Sequence, residues 1–321
     1  MPNSFLGSVV QQLVAQNIDW ANVCFVLPNR RARLFLQREL TQTLQGPLIL
    51  PEAASIDDLI ASMSTMLPAT ELQQQQALYK SYCTTIGLKK ADSFETFLGW
   101  SSPLMKDINT MDQYLLERES FFTYLSSLHN IRSWGENQDK IIQNYTAFWE
   151  LLPQMYQDFV SILEETGHAP PGLCYRLATA HLESYLQHKK STHFIFCGFN
   201  ALSPSEELIV QELLAQQRGQ VFWDIDQKML ENEYHQAGVF IRGYVNNWSY
   251  YANGSFDQAH QIFNAAKKVN VIEVQQQVGQ AKQLGALLAE LPTSQDWSKT
   301  AVVLADESLL LPLLYALPDT K

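Results

Sequence analysis

The sequence predicts an α/β protein whose parallel sheet is interrupted by a large all-helical insertion. Three observations lead there. Thr192 to Asp226 reads strand, helix, strand: an apolar run at His193–Phe196 stopped by Gly198, then Ser203-Pro204-Ser205-Glu206 in the form of a capping box, then a second run at Gln220–Asp224 after Gly219. Two strands joined by one crossover helix are parallel. A further buried strand is legible at Asn22–Leu27, and strand-like runs vanish between about Asp57 and Lys190 in favour of helical spacing.

In chain order, Ser4–Gln16 carries Phe5, Leu6, Val9, Val10, Leu13 and Val14 at helical spacing, so the chain opens on an amphipathic helix. Pro28-Asn29 ends the first strand. Arg30–Thr43 is a helix with Leu34, Phe35, Leu36 and Leu40 as its apolar side, and Leu48–Leu50 has the look of a short strand. Ser55-Ile56-Asp57-Asp58 forms a cap and first turn. The helical stretch that follows has expected breaks at Pro68, Gly87, Pro103, Gly135 and Pro170-Pro171-Gly172. Phe94, Phe97 and Trp100, then Met105, Ile108 and Met111, are packing residues. Tyr145, Phe148, Trp149, Leu152, Tyr156, Phe159 and Leu163 mark a buried helix face, the plainer reading than a base-stacking platform. In the strand–helix–strand unit, Leu208, Ile209, Leu213 and Leu214 form the inner face of the helix. After Asp226, Phe256–Lys268 reads as helix, Val269–Val274 and Thr300–Leu304 as strands, and Val278–Leu291 and Glu307–Leu317 as helices. The resulting divisions are 1–56 and 190–262 for the two parts of one α/β domain, 57–189 for the insertion, and 263–321 for the truncated start of a second α/β domain. So few strands there predict a piece of a longer chain.

Composition sets limits on function. The 321 residues carry a net charge of −11, which excludes a surface that is basic all over and leaves nucleic acid only a local patch. Cys24, Cys83, Cys174 and Cys197 form no CxxC pair and read as reduced, structural thiols of a cytoplasmic protein. No apolar run has transmembrane length, and the start lacks the basic region of a secretory signal, so no membrane partner is expected.

The most suggestive motif is Pro28-Asn29-Arg30-Arg31-Ala32-Arg33, between a parallel strand and its helix, at the edge where open α/β sheets bind ligands. Arginines in a first helical turn oppose the macrodipole, a placement that nearby phosphates would explain. A solvated face paired with carboxylates is the competing reading. Asp224 and Asp226 form a DxD at a strand end, where turn chemistry explains them as well as a metal does. His181 and His188 lie a heptad apart, His235 and His260 have no partner in sequence, and Asp107 and Asp112 are five apart, not a helix-face pair. No GxSxG, HExxH or Cys/His cluster occurs, and no GxxxxGK[ST] phosphate loop; the chain leaves no room for a strand and loop before Ser4. No cofactor is expected.

FVLPNRRARLFLQREL, PEAASIDDLI, FLGWSSPLMKDINTMDQYLL, FWELLPQMYQDFVSILEETG, FIFCGFNALSPSEELIVQELL, VFWDID and AVVLADESLLLPLLYALP together resemble the N-terminal part of the PD-(D/E)XK nuclease family proteins of Bacteroidetes, AddB-type subunits of helicase–nucleases. The resemblance implies a degenerate RecA-like (superfamily 1 helicase-like) fold, a nuclease outside this sequence, and a role in processing DNA ends for recombinational repair. It places Asn29, Arg30, Arg31 and Arg33 in a segment that touches single-stranded DNA. It also places Cys197 and Gly198 where active helicases carry the acidic pair that holds Mg²⁺. With that pair and the phosphate loop both missing, the expectation is a module that is not itself an enzyme, docks to a helicase–nuclease partner subunit and helps hold DNA. The alternative is a protein-interaction scaffold without DNA binding, and a third reading is a nucleotidase using Asp224 and Asp226.

Overall fold

The computed structural model describes residues 4–44, 50–124, 140–252, 256, 259–263, 265–292, 294, 296–297 and 300–318, with the side chains of 140–149 left out. The expected strand at Leu48–Leu50, the break at Gly135 and the inward side chains of Tyr145, Phe148 and Trp149 lie wholly or largely outside these residues. The chain divides into two compact units between Phe263 and Asn264.

The first unit is mixed α/β. Its sheet contains β1 (Val23–Leu27), β2 (Glu52–Ser55), β5 (His193–Cys197) and β6 (Gly219–Phe222) in the order β2-β1-β5-β6, and every pair is parallel. Both faces are covered, as continuous apolar runs such as VCFVL require. Alternation divides each strand between two cores. Phe25, Leu27, Ile195 and Cys197 pack with α1 (Phe5–Ala15) and α2 (Arg30–Thr43). Cys24, Val26, Phe194 and Phe196 pack with α3 (Ile56–Ser64), α7 (Pro171–His188) and α8 (Pro204–Ala215). The capping box expected at Ser203 is present, with Pro204 at the first helical position.

Two helices turn differently from their expected faces. α2 buries Leu36 and Leu40 but exposes Leu34 and Phe35, because one 100° step separates neighbours and only one side faces the sheet. α8 likewise buries Ile209, Val210, Leu213 and Leu214 and exposes Leu208.

The 57–189 stretch is helical but not a lobe apart. α3 and α7 belong to the core of the sheet, whereas α4 (Glu71–Ile86), α5 (Phe94–Gln113) and α6 (Lys140–Glu164) share a second core around Leu78, Phe97, Ile108, Met111, Leu152 and Phe159. The stretch also contains a two-residue parallel pair, β3 (Leu67–Pro68) with β4 (His168–Ala169). Pro103 does not end α5: apolar residues on both sides of it, Phe97 and Met105, lie in one core, and that packing outweighs the local cost of about 3 kcal/mol. Gly172 in α7 lies so close to α5 that an added Cβ would sit 2.0 Å from the Asn109 carbonyl oxygen. Its N–H donates to Asn109 Oδ1 at 2.8 Å.

β6 is followed by α9 (Gln227–Glu231) and α10 (Val239–Asn247), which bring Tyr244 and Trp248 against Trp223. The described part of 256–268 is not helical, contrary to the periodicity. In the second unit, α11 (Gln277–Ala289) packs on α12 (Leu310–Ala316) through Ala281, Leu288 and Leu313. The expected strands at 269–274 and 300–304 form no ladder among the described residues, and Val271 and Val303 are 92% and 89% exposed. An apolar run becomes a strand only by pairing, and no described strand lies beside either run. No helix among the described residues is long and apolar enough to cross a membrane.

Candidate nucleic-acid interface

At the C-terminal edge of the sheet each strand hands over to a helix or a turn. After β1, Asn29 caps α2, its Oδ1 accepting from Ala32 N–H at 3.0 Å. After β2, Ser55 and Asp58 form a capping box at α3, with Ser55 Oγ donating to Asp58 Oδ2 at 2.7 Å. Because Leu27 and Ser55 are register partners in parallel strands, the two helix N-termini emerge side by side. Arg30 therefore meets Asp58: its Nη2 lies 2.6 Å and its Nε 3.2 Å from Oδ1. The Arg30 guanidinium, helped by Ser55, lowers the Asp58 pKa to about 2. The pair is open to water, with the Arg30 side chain 82% exposed, so screening limits its worth.

Of the candidate DNA residues, Asn29 is thus a helix cap and Arg30 is paired. The side chains of Arg31 and Arg33 are exposed and make no hydrogen bond or ion pair with another described residue. Both sit in the positive first turn of α2, where a bound anion would gain from the helix dipole as well as from the guanidiniums. Sequence spacing could not foresee the Arg30–Asp58 contact, which depends on the β1–β2 register.

After β5, Cys197 is fully buried, and desolvation alone pushes its thiol pKa up. Gly198 has φ +76°, a left-handed conformation that glycine adopts without strain, and a Cβ there would lie 3.6 Å from Phe5 Cε1. Neither residue offers an oxygen ligand from its side chain. Phe5 opens α1, so the N-terminus of α1 stands beside the end of β5. That terminus is already occupied. Ser4 Oγ accepts from Gly7 N–H at 3.0 Å and donates to the Glu39 carboxylate at 2.8 Å. A carboxylate thus lies where a phosphate would otherwise find open N–H groups.

After β6, Asp224 Oδ1 lies 3.5 Å from His260 Nε2. Asp226 caps α9: Oδ1 accepts from Lys228 N–H, and Oδ2 accepts from the N–H groups of Ile262 and Phe263 at 2.8 and 2.7 Å. The DxD does not converge, and among the described residues no three His, Cys, Asp or Glu side chains come together. His181 and His188 share α7 without meeting, and His188 Nδ1 bonds to the Ser184 carbonyl oxygen. His235 Nδ1 accepts from Ala237 N–H.

Two polar clusters went unread in the sequence. Tyr175 Oη donates to Asp57 Oδ1 at 2.7 Å beside Glu206, whose carboxylate accepts from Ser203 N–H at 2.7 Å. Burial raises the Glu206 pKa against that capping hydrogen bond. In the helical part, Asp112 is 0% exposed and accepts from Arg118 (Nε 3.1 Å, Nη2 2.9 Å), Arg176 (Nε 2.7 Å) and Tyr156 (Oη 2.6 Å). The partners lie 6, 64 and 44 residues away, so no local spacing announces them.

No family model matches the chain, and no curated protein matches it.

Proposed function

We propose that this chain is a catalytically inactive, RecA-like helicase module of an AddB-type helicase–nuclease, scaffolding a partner subunit and contacting single-stranded DNA during end processing. The observation that carries the reading is the uneven furnishing of the sheet edge. One helix N-terminus, that of α2, presents the exposed guanidiniums of Arg31 and Arg33, which have no hydrogen-bond or ion-pair partner among the described residues. Another, that of α1, is closed by Ser4 and Glu39, and beside it β5 ends at Cys197, followed by Gly198. Phosphodiester binding needs only the first; nucleotide hydrolysis needs charge stabilisation at the second. The parallel order β2-β1-β5-β6 is compatible with a RecA-like sheet.

The test is a salt titration of single-stranded DNA binding. Arg31→Ala combined with Arg33→Ala should weaken binding uniformly across sequences and reduce the slope of log K against log salt by about 0.7 for each phosphate no longer neutralised. A double variant that binds as the parent does would refute the role of these arginines in holding DNA. The second reading, a protein-interaction scaffold without DNA binding, is favoured by the exposed apolar side chains Val271, Val303 and Tyr315 of the second unit. It gains if the parent does not bind DNA.

A further inference from the structure

We propose that the outer face of α2 is a stacking platform, on which Phe35 receives a base of single-stranded DNA between the guanidiniums of Arg31 and Arg38. The inference rests on the DNA reading above and extends it one helical turn beyond the strand edge. Arg31, Leu34, Phe35 and Arg38 are spaced i, i+3, i+4, i+7 and share one side of α2, opposite Leu36 and Leu40, which are buried on the sheet. Leu34 is 66% and Phe35 57% exposed, a cost for two large apolar side chains. The side chains of Arg31 and Arg38 are exposed and make no hydrogen bond or ion pair with another described residue. At 1.5 Å per residue, Phe35 lies about 6 Å along the axis from Arg31 and about 4.5 Å from Arg38.

An aromatic ring flanked by two exposed cations is how sequence-tolerant single-strand binders hold a base and its phosphates. The patch is also basic within a chain of net charge −11. Two apolar side chains are too few to anchor a stable protein interface, which needs roughly 800 Å² per partner, whereas one ring suffices for one base.

The experiment compares a labelled oligo(dT) of about 12 nucleotides, within the site size of a single-strand groove, with an abasic deoxyribose-phosphate strand of equal length. Both are titrated by anisotropy against the full chain. Phe35→Ala should weaken oligo(dT) binding about five- to a hundredfold, the usual effect of removing one stacked base, and leave the abasic strand unchanged. Phe35→Trp should restore it. Arg38→Ala should weaken both strands alike and lower the salt slope by about 0.7. If Phe35→Ala binds oligo(dT) as the parent does, or weakens both strands equally, the platform is refuted while the edge contact stands. If the parent binds neither strand at low salt, this inference and the DNA reading fall together.

Discussion

Removing the Asp112 carboxylate should be among the most damaging polar substitutions in the helical part of the first unit. Asp112 lies at 0% exposure near the end of α5 and takes hydrogen bonds from Arg118, from Tyr156 on α6 and from Arg176 on α7, so one side chain ties these three helices to the helical segment that begins at Arg118. Asp112→Ala leaves two guanidiniums without their anion and strands a phenol. Breaking a buried ion pair from one side costs about 3–5 kcal/mol, and an unsatisfied buried hydroxyl adds about 1–3 kcal/mol. Part of this is recovered, because the Arg118 and Arg176 side chains are 39% and 25% exposed and turn toward water. The expected net loss is therefore about 3–4 kcal/mol, or roughly 10 °C in Tm for a unit of this size. Asp112→Asn keeps one acceptor and the shape, and should lose about half as much. Urea unfolding followed by far-UV circular dichroism measures the ordering. A loss below about 1 kcal/mol for Asp112→Ala would show that the carboxylate is hydrated in solution and that the helices are held by their apolar core alone.

Three further outcomes are expected. Gly172→Ala should destabilise the α5–α7 packing by at least about 1–3 kcal/mol, since its Cβ would meet the Asn109 backbone and the helices must part; an unchanged urea midpoint would refute the close approach. Glu206 has a raised pKa, so the native state holds more protons than the unfolded state above about pH 4.3, and this group's contribution to stability falls as pH rises through that window. Glu206→Gln should flatten that dependence, and an unaltered stability–pH curve would refute it. Asp58→Ala releases Arg30 and should tighten single-stranded DNA binding and steepen its salt slope at a cost of about 1 kcal/mol in helix capping; weaker binding would mean that the pair itself organises the edge.

The local elements were legible in the residues alone: the caps at Ser55 and Ser203, the continuous apolar runs VCFVL and HFIFC, and the long helix faces. These signals arise from backbone caps within one turn and from a fixed side-chain period, so they can be read without a partner. The arginine cluster after β1 and the cysteine and glycine that end β5 were equally plain. Which side of each element faces inward was settled by packing. Leu34 and Phe35 read as core and lie outside, because a helix has one buried side and the sheet takes Leu36 and Leu40. Register, not spacing, brings Arg30 to Asp58, and the packing of three helices makes Asp112, which spacing alone sets aside, a buried anchor. The apolar runs at 269–274 and 300–304 mark the limit from the other side, since strand propensity without a neighbour to pair with makes no sheet.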